Sequence, residues 1–249
     1  MRKTLTAVCT VLTTLVLGAL PGAAGTSADP EIADIAGDAN FINGQGIQPG
    51  HEEGPDSRPA SIDNTDLRAV WFETAYTTNK VFDPETGDVL RVEYHPTALA
   101  VHVQTQGPAR PMDPWNVILY KVQATLPGCT ATFELSVRPN PPDVATIWPV
   151  GAQCGDLPPG SGAQSPVTPT FEGTVSTITF PLTHFQTSQF ISNGTTIAQP
   201  AAHAIGRLPS LGSVFRADET VAGPDFTIGQ DVPPNVDCTA DPDNPECQP

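Results

Sequence analysis

Positive charge is scarce in these 249 residues: 11 Lys plus Arg stand against 27 Asp plus Glu, for a net charge of −16. Binding nucleic acid through its phosphates requires a basic face, and so few cations cannot build one. Uninterrupted helix-forming sequence is scarce too, because 28 Pro and 21 Gly are spread along the chain. At that density long helices are broken, which excludes a helical bundle. Gly does not recur at every third position, so collagen is excluded. The signatures HExxH and GxSxG are absent, which removes the simplest metalloprotease and hydrolase readings. There is no CxxC pair and no His beside a cysteine to suggest zinc. Apolar residues nevertheless make up 39%, enough to bury a core and to argue against a disordered chain.

The one long apolar run is Leu5 to Leu20, preceded by Arg2 and Lys3 and followed by Pro21, Gly22 and small residues to Ala28. That layout predicts a cleaved secretory signal peptide over residues 1–28. The alternative, a retained anchor, needs roughly 20 apolar residues. No membrane span is expected in the mature chain, whose net charge becomes −18 once Arg2 and Lys3 are gone. Such a surface repels anionic polymers and suits divalent cations. Cys9 leaves with the leader, so the mature chain keeps Cys129, Cys154, Cys238 and Cys247. An even number in an oxidising compartment reads as two disulfides. Three pairings are possible. Short loops favour Cys129–Cys154 and Cys238–Cys247.

Residues 29–66 are rich in Gly, Asp, Asn and Pro and read as a long N-terminal loop segment. Strands are predicted over 67–78, 80–82, 89–94, 98–106, 115–125, 129–137, 144–150, 171–180 and 226–229. Pro84-Glu85-Thr86-Gly87-Asp88 and Pro127-Gly128 supply turns. Alternation puts Val70 and Phe72 on one face of the first strand, with Ala69 and Trp71 on the other. In ALAVHVQTQ it puts Leu99, Val101 and Val103 inward, with His102 and Gln104 outward. Residues 182–212 are less regular, with room for one helical turn. Short strands separated by turn signals predict a single antiparallel β-sandwich over 29–230. An acidic, Pro-rich tail at 231–249 should be loosely ordered outside its disulfide.

The densest chemistry is N-terminal. Asp34, Asp38 and Asn40, with Asp63 and Asp66, are oxygen ligands on Gly-bearing loops, as calcium requires. The plainer alternative is that Asp and Asn are simply turn and cap residues. His51, His95, His102, His184 and His203 form no ligand spacing and read as solvent-facing. Glu73 and Glu93 are the strand carboxylates that a glycosidase pair would need to bring together. Most of the Trp and Tyr residues alternate with apolar neighbours and read as core. Trp115, after Pro114 at a loop edge, is the candidate for an exposed sugar-stacking ring.

DIAGDAN at 34–40, IDNTDLRAVWFET at 62–74, ITFPLTHF at 178–185 and DETVAGPDFTIG at 218–229 together carry a resemblance. The chain resembles secreted β-sandwich domains related to carbohydrate-binding family 9 and DOMON-like modules. The resemblance implies a jelly-roll-like sandwich and, in some members, a calcium near the opening aspartates. Asp34, Asp38 and Asp66 match, although Asp34 and Asp38 are one residue farther apart than in the simplest motif. Met112, the one Met outside the leader, sits between prolines and does not suit an axial haem ligand. The expectation is a secreted, non-enzymatic binding or surface-associated protein, calcium-stabilised, with a glycan or cell-envelope component as ligand. The competing readings are a hydrolase with a site built from scattered residues, and a structural or inhibitory partner of another exported protein.

Overall fold

A computed structural model of the chain describes residues 30–34, 40–43, 46–47, 63–108, 117–138, 143–150, 154, 161–207 and 215–248. The signal peptide expected at 1–28 lies outside them. In chain order the strands are β1 (Ile32–Ala33), β2 (Asn40–Asn43), β3 (Gly46–Ile47), β4 (Leu67–Phe82), β5 (Val89–Thr105), β6 (Val117–Leu126), β7 (Cys129–Val137) and β8 (Val144–Pro149). They continue with β9 (Ala163–Gln164), β10 (Thr170–Glu172), β11 (Val175–Pro181), β12 (Thr196–Arg207), β13 (Phe215–Glu219), β14 (Phe226–Thr227) and β15 (Val236–Asp237).

The strands form two antiparallel sheets. One runs β1-β4-β5-β11-β10, with β15 also on β5. The other runs β3-β2-β13-β12-β6-β7-β8-β9, with β14 also on β12. The expected antiparallel β-sandwich is therefore the fold. Inward residues of the first sheet (Phe72, Leu99, Val101, Ile178, Phe180) and of the second (Ile118, Val122, Phe133, Leu135, Ile147) share one core. Phe133 meets Phe180 at 5.7 Å between ring centroids, joining the layers. Such an aromatic contact adds about 1 kcal/mol beyond its buried area. Among the described residues no helix is long and apolar enough to cross a membrane.

Several local expectations are revised. β4 and β5 are each one long strand, where the sequence suggested breaks at Asn79 and at His95–Thr97. A register shift between Ala75 and Tyr76 leaves Thr97 as the extra residue, and pairing resumes with Pro96 opposite Tyr76. The 171–180 run is a hairpin, because Gly173 adopts φ +58° and turns the chain between Glu172 and Val175. All of β12 lies in the segment that read as irregular. Its bulge falls between Ala198 and Ala201, where Gln199 has φ 49° and Pro200 needs no ladder partner. The helical turn expected in 182–212 is a 3-10 turn at Thr187–Gln189.

Both disulfides pair as the short loops suggested, Cys129–Cys154 and Cys238–Cys247. The tail is packed rather than loose. β15 pairs with Val92 and Arg91 of β5. Cys238 and Cys247 join Val89 and Val92 in a small second core, and the Tyr94 hydroxyl meets the Glu246 carboxylate. At the other end, β1 is clamped. Ile32 is buried opposite Val70, and a side chain on Gly223 would reach the Glu31 carbonyl oxygen at 2.4 Å and Ile32 Cγ1 at 2.8 Å.

Candidate functional site

The outer face of the six-stranded sheet gathers the polar chemistry. Phe72 and Val101 point into the core, so Trp71, Glu73, His102 and Gln104 stand on the opposite side. Strand register then places His102 directly between Trp71 of β4 and Thr177 of β11. The indole of Trp71 stacks on the imidazole at 4.8 Å, with 5° between the planes. His102 Nδ1 lies 3.0 Å from the Thr177 hydroxyl. Its Nε2 lies 3.4 Å from a Glu73 carboxylate oxygen, with the imidazole 14% exposed and the carboxylate 48%. The His102 imidazole beside it holds the Glu73 carboxyl below its ordinary value, against the opposing effect of partial burial.

One rung away the face dips. A depression of about 560 Å³ is lined by residues including Asp34, Arg68, Gln104, Gln106 and Thr174. Arg68 Nη1 donates to Gln106 Oε1 at 2.6 Å on its rim. An indole bordered by carboxylate, amide, guanidinium and hydroxyl groups can stack on an apolar ring face while hydrogen-bonding the hydroxyls at the ring's edge.

The opening acidic residues come together only in part. Asp34 follows β1, its amide donating to the Arg68 carbonyl at 2.9 Å. Asp66, fully buried, follows the 3-10 turn Asp63–Thr65. Tyr120, buried in the core with its hydroxyl pushed well above the usual phenol range by desolvation, donates to the Asn64 carbonyl at 2.6 Å. Asp218 reaches across from β13 to accept from Leu67 N at 2.6 Å. Asp218 was not among the candidate ligands, although the aspartate opening DETVAG was its signal. Asp38 and the side chains of Asn40 and Asp63 lie outside the described residues, as does Trp115. Among the described residues no three His, Cys, Asp or Glu gather as metal ligands.

No protein-family model, curated protein or solved structure matches this chain. The likeness to carbohydrate-binding modules rests on the short motifs alone.

The sequence reading missed the stack itself. Alternation turned His102 outward, whereas Trp71, on an apolar strand, read as core; strand pairing makes the two neighbours on the outer face. Glu73 and Glu93 are not a pair: Glu73 sits opposite Ala100, while Glu93 sits farther along opposite Asn79. There Glu93 binds Arg91 at 2.7 Å and His95 at 3.2 Å. Trp148, read as core, is 41% exposed on the other sheet.

Proposed function

We propose that this is an exported, non-enzymatic binding protein that holds a glycan of the cell envelope or its surroundings on the outer face of the six-stranded sheet. The observation that carries the reading is the Trp71–His102 stack, with Glu73, Thr177 and the Arg68–Gln106 depression beside it. Two disulfides support an oxidising compartment, and the leader-like N-terminus supports export. A net charge of −16 favours neutral over anionic glycans. The test is affinity electrophoresis of the full chain in gels containing neutral polysaccharides, a β-glucan, a xylan and a mannan. Retardation is expected, and Trp71→Ala should weaken it roughly tenfold if a stacking contact of about 1.4 kcal/mol is lost. Equal migration in every gel would end this reading.

Calcium belongs to the same proposal as a stabilising ion. It is supported by Asp218, whose carboxylate accepts from Leu67 N, the residue after buried Asp66, and by Asp34, whose amide donates to the next carbonyl, that of Arg68. Calcium at a hundred times its Kd would contribute about 2.7 kcal/mol. That should raise the Tm of the chelated protein by roughly 5–10 °C. An unchanged Tm refutes it.

One observation favours a hydrolase as the second reading. Thr177, His102 and Glu73 stand in the order hydroxyl, imidazole, carboxylate. Turnover of a generic ester or glycoside that Thr177→Val abolishes would put this reading first.

A further inference from the structure

The opposite face of the sandwich carries a second flat ring. Trp148 stands on β8 next to buried Ile147, so it points outward from the other sheet. Ile147 pairs with Ala163, which makes Gly162 the residue beside Trp148 across the ladder. A Cβ placed on Gly162 would lie 2.5 Å from Trp148 Cε3, 2.7 Å from Cζ3 and 3.0 Å from Cδ2. The two carbons bonded to Cε3 are barely farther than Cε3 itself, as happens above a ring and not beside its edge. The indole therefore lies face-down on the glycine backbone. Any side chain at position 162 would lift it. With one face seated, the 41% exposure of Trp148 belongs to the other face and the rim.

Its surroundings are neutral hydrogen-bonding groups. Thr132 lies directly opposite Trp148, and Gln123 lies opposite Thr132. Thr130 and Thr125 face each other one outward rung along. Among the described residues the nearest charges on that face, Lys121 and Glu134, pair with each other at 3.0 Å. A seated indole with hydroxyl and amide neighbours, and no unpaired charge beside it among the described residues, suits a neutral polyhydroxylated ring. The strongly acidic chain disfavours an anionic one.

We infer that Trp148 on Gly162 is a second stacking site, for a neutral sugar ring, facing away from the first, so that one molecule bridges two polysaccharide strands. The inference takes its ligand class from the proposed function. The two platforms stand on the outer faces of sheets that pack about 10 Å apart, so one strand cannot lie across both.

The experiment uses the full chain with soluble β-glucan, xylan and mannan, reading gel retardation and light scattering together. The wild type should be retarded and should cross-link at least one polymer into scattering particles that excess protein disperses. Trp148→Ala and Gly162→Ala should still be retarded but cross-link at least tenfold less, and Trp71→Ala should do the same. Gly162→Ala moves the ring without removing it, and the retardation that both variants keep excludes a folding defect in either. If both variants cross-link like the wild type, the inference falls while the first site stands. If Trp71→Ala is silent and Trp148→Ala is not, the first site falls and the second stands. Scattering by the protein without polysaccharide, abolished by Trp148→Ala, would assign the ring to a second copy of this chain and overturn the inference. If no polymer is retained, both readings fall.

Discussion

Gly223→Ala tests how the N-terminal strand is held. The added methyl would sit 2.4 Å from the Glu31 carbonyl oxygen, 2.8 Å from Ile32 Cγ1 and 3.0 Å from the Glu31 carbonyl carbon. Two of these three atoms are backbone, so no rotamer change relieves the contact. Gly223 cannot retreat freely either, because its amide donates to the Pro200 carbonyl at 2.8 Å. Either β1 shifts or it lets go. Letting go exposes Ile32, worth about 1.5–3 kcal/mol. It also breaks the Asp34–Arg68 backbone bond and the 3.0 Å bond from Phe72 N to the Glu31 carboxylate, each about 1 kcal/mol. Release thus costs roughly 3–5 kcal/mol. Shifting an overpacked contact costs roughly 1–3 kcal/mol, so shifting wins and that is the expected loss. Ile32→Ala alone should cost roughly 2–5 kcal/mol. It also clears the space beside Cγ1, so the double variant should fall short of the sum by more than about 0.5 kcal/mol. Urea unfolding followed by tryptophan fluorescence measures all three. A Gly223→Ala variant as stable as the wild type, or strict additivity, would refute the clamp.

Replacing Cys129 and Cys154 by Ser opens a loop of separation 25, and replacing Cys238 and Cys247 opens one of separation 9. Chain entropy gives about 3.5 and about 2.6 kcal/mol respectively. The first pair should lower the main unfolding transition. The second should chiefly lose hydrogen-exchange protection at 89–94, since its cysteines belong to the separate small core. Equal loss of protection across both sheets would contradict that division. Tyr120→Phe removes the 2.6 Å donor from the buried Asn64 carbonyl and should cost roughly 1–3 kcal/mol, read by the same urea titration; no loss would mean that the bond does not pin the 63–66 turn. The Asp237 carboxyl is held below its usual 3.8 by the Thr239 hydroxyl and amide. A carboxyl depressed on folding stabilises above its unfolded value, and that contribution is lost as pH falls through the lower folded one. Below about pH 3.8 the tail should become more open to pepsin while the sandwich resists; simultaneous cleavage of both would argue against it.

The class of fold was legible because Leu99, Val101 and Val103 alternate with polar neighbours, and because Pro127-Gly128 announces its turn. Gly128 indeed takes φ +84°. The cysteine pairing was legible from loop length. What failed was pattern interrupted by Pro or diluted by Ala. TIAQPAAHAIGR carries little β-propensity, yet β12 is held on one side by β6 and on the other by β13, so tertiary pairing overrides composition. The Trp71–His102–Thr177 row was hidden for a different reason. Alternation tells which way each side chain points, whereas register between strands tells who stands beside whom. Only the first can be read along one chain. The seat of Trp148 was hidden likewise, since Gly162 reads as loop until its strand partner is known.

The packed tail changes what the long β4–β5 ribbon is. Beyond the reach of β11, which ends opposite Ala98, the outer margin of β5 would offer its unpaired amides and carbonyls to any extended chain that passed. β15 occupies that margin at Arg91 and Val92, and the Cys238–Cys247 loop weighs it down. The tail is thus a plug against unwanted strand addition. A cut in the tether Pro233-Pro234-Asn235 would leave the sandwich folded yet make it adhesive to its own kind.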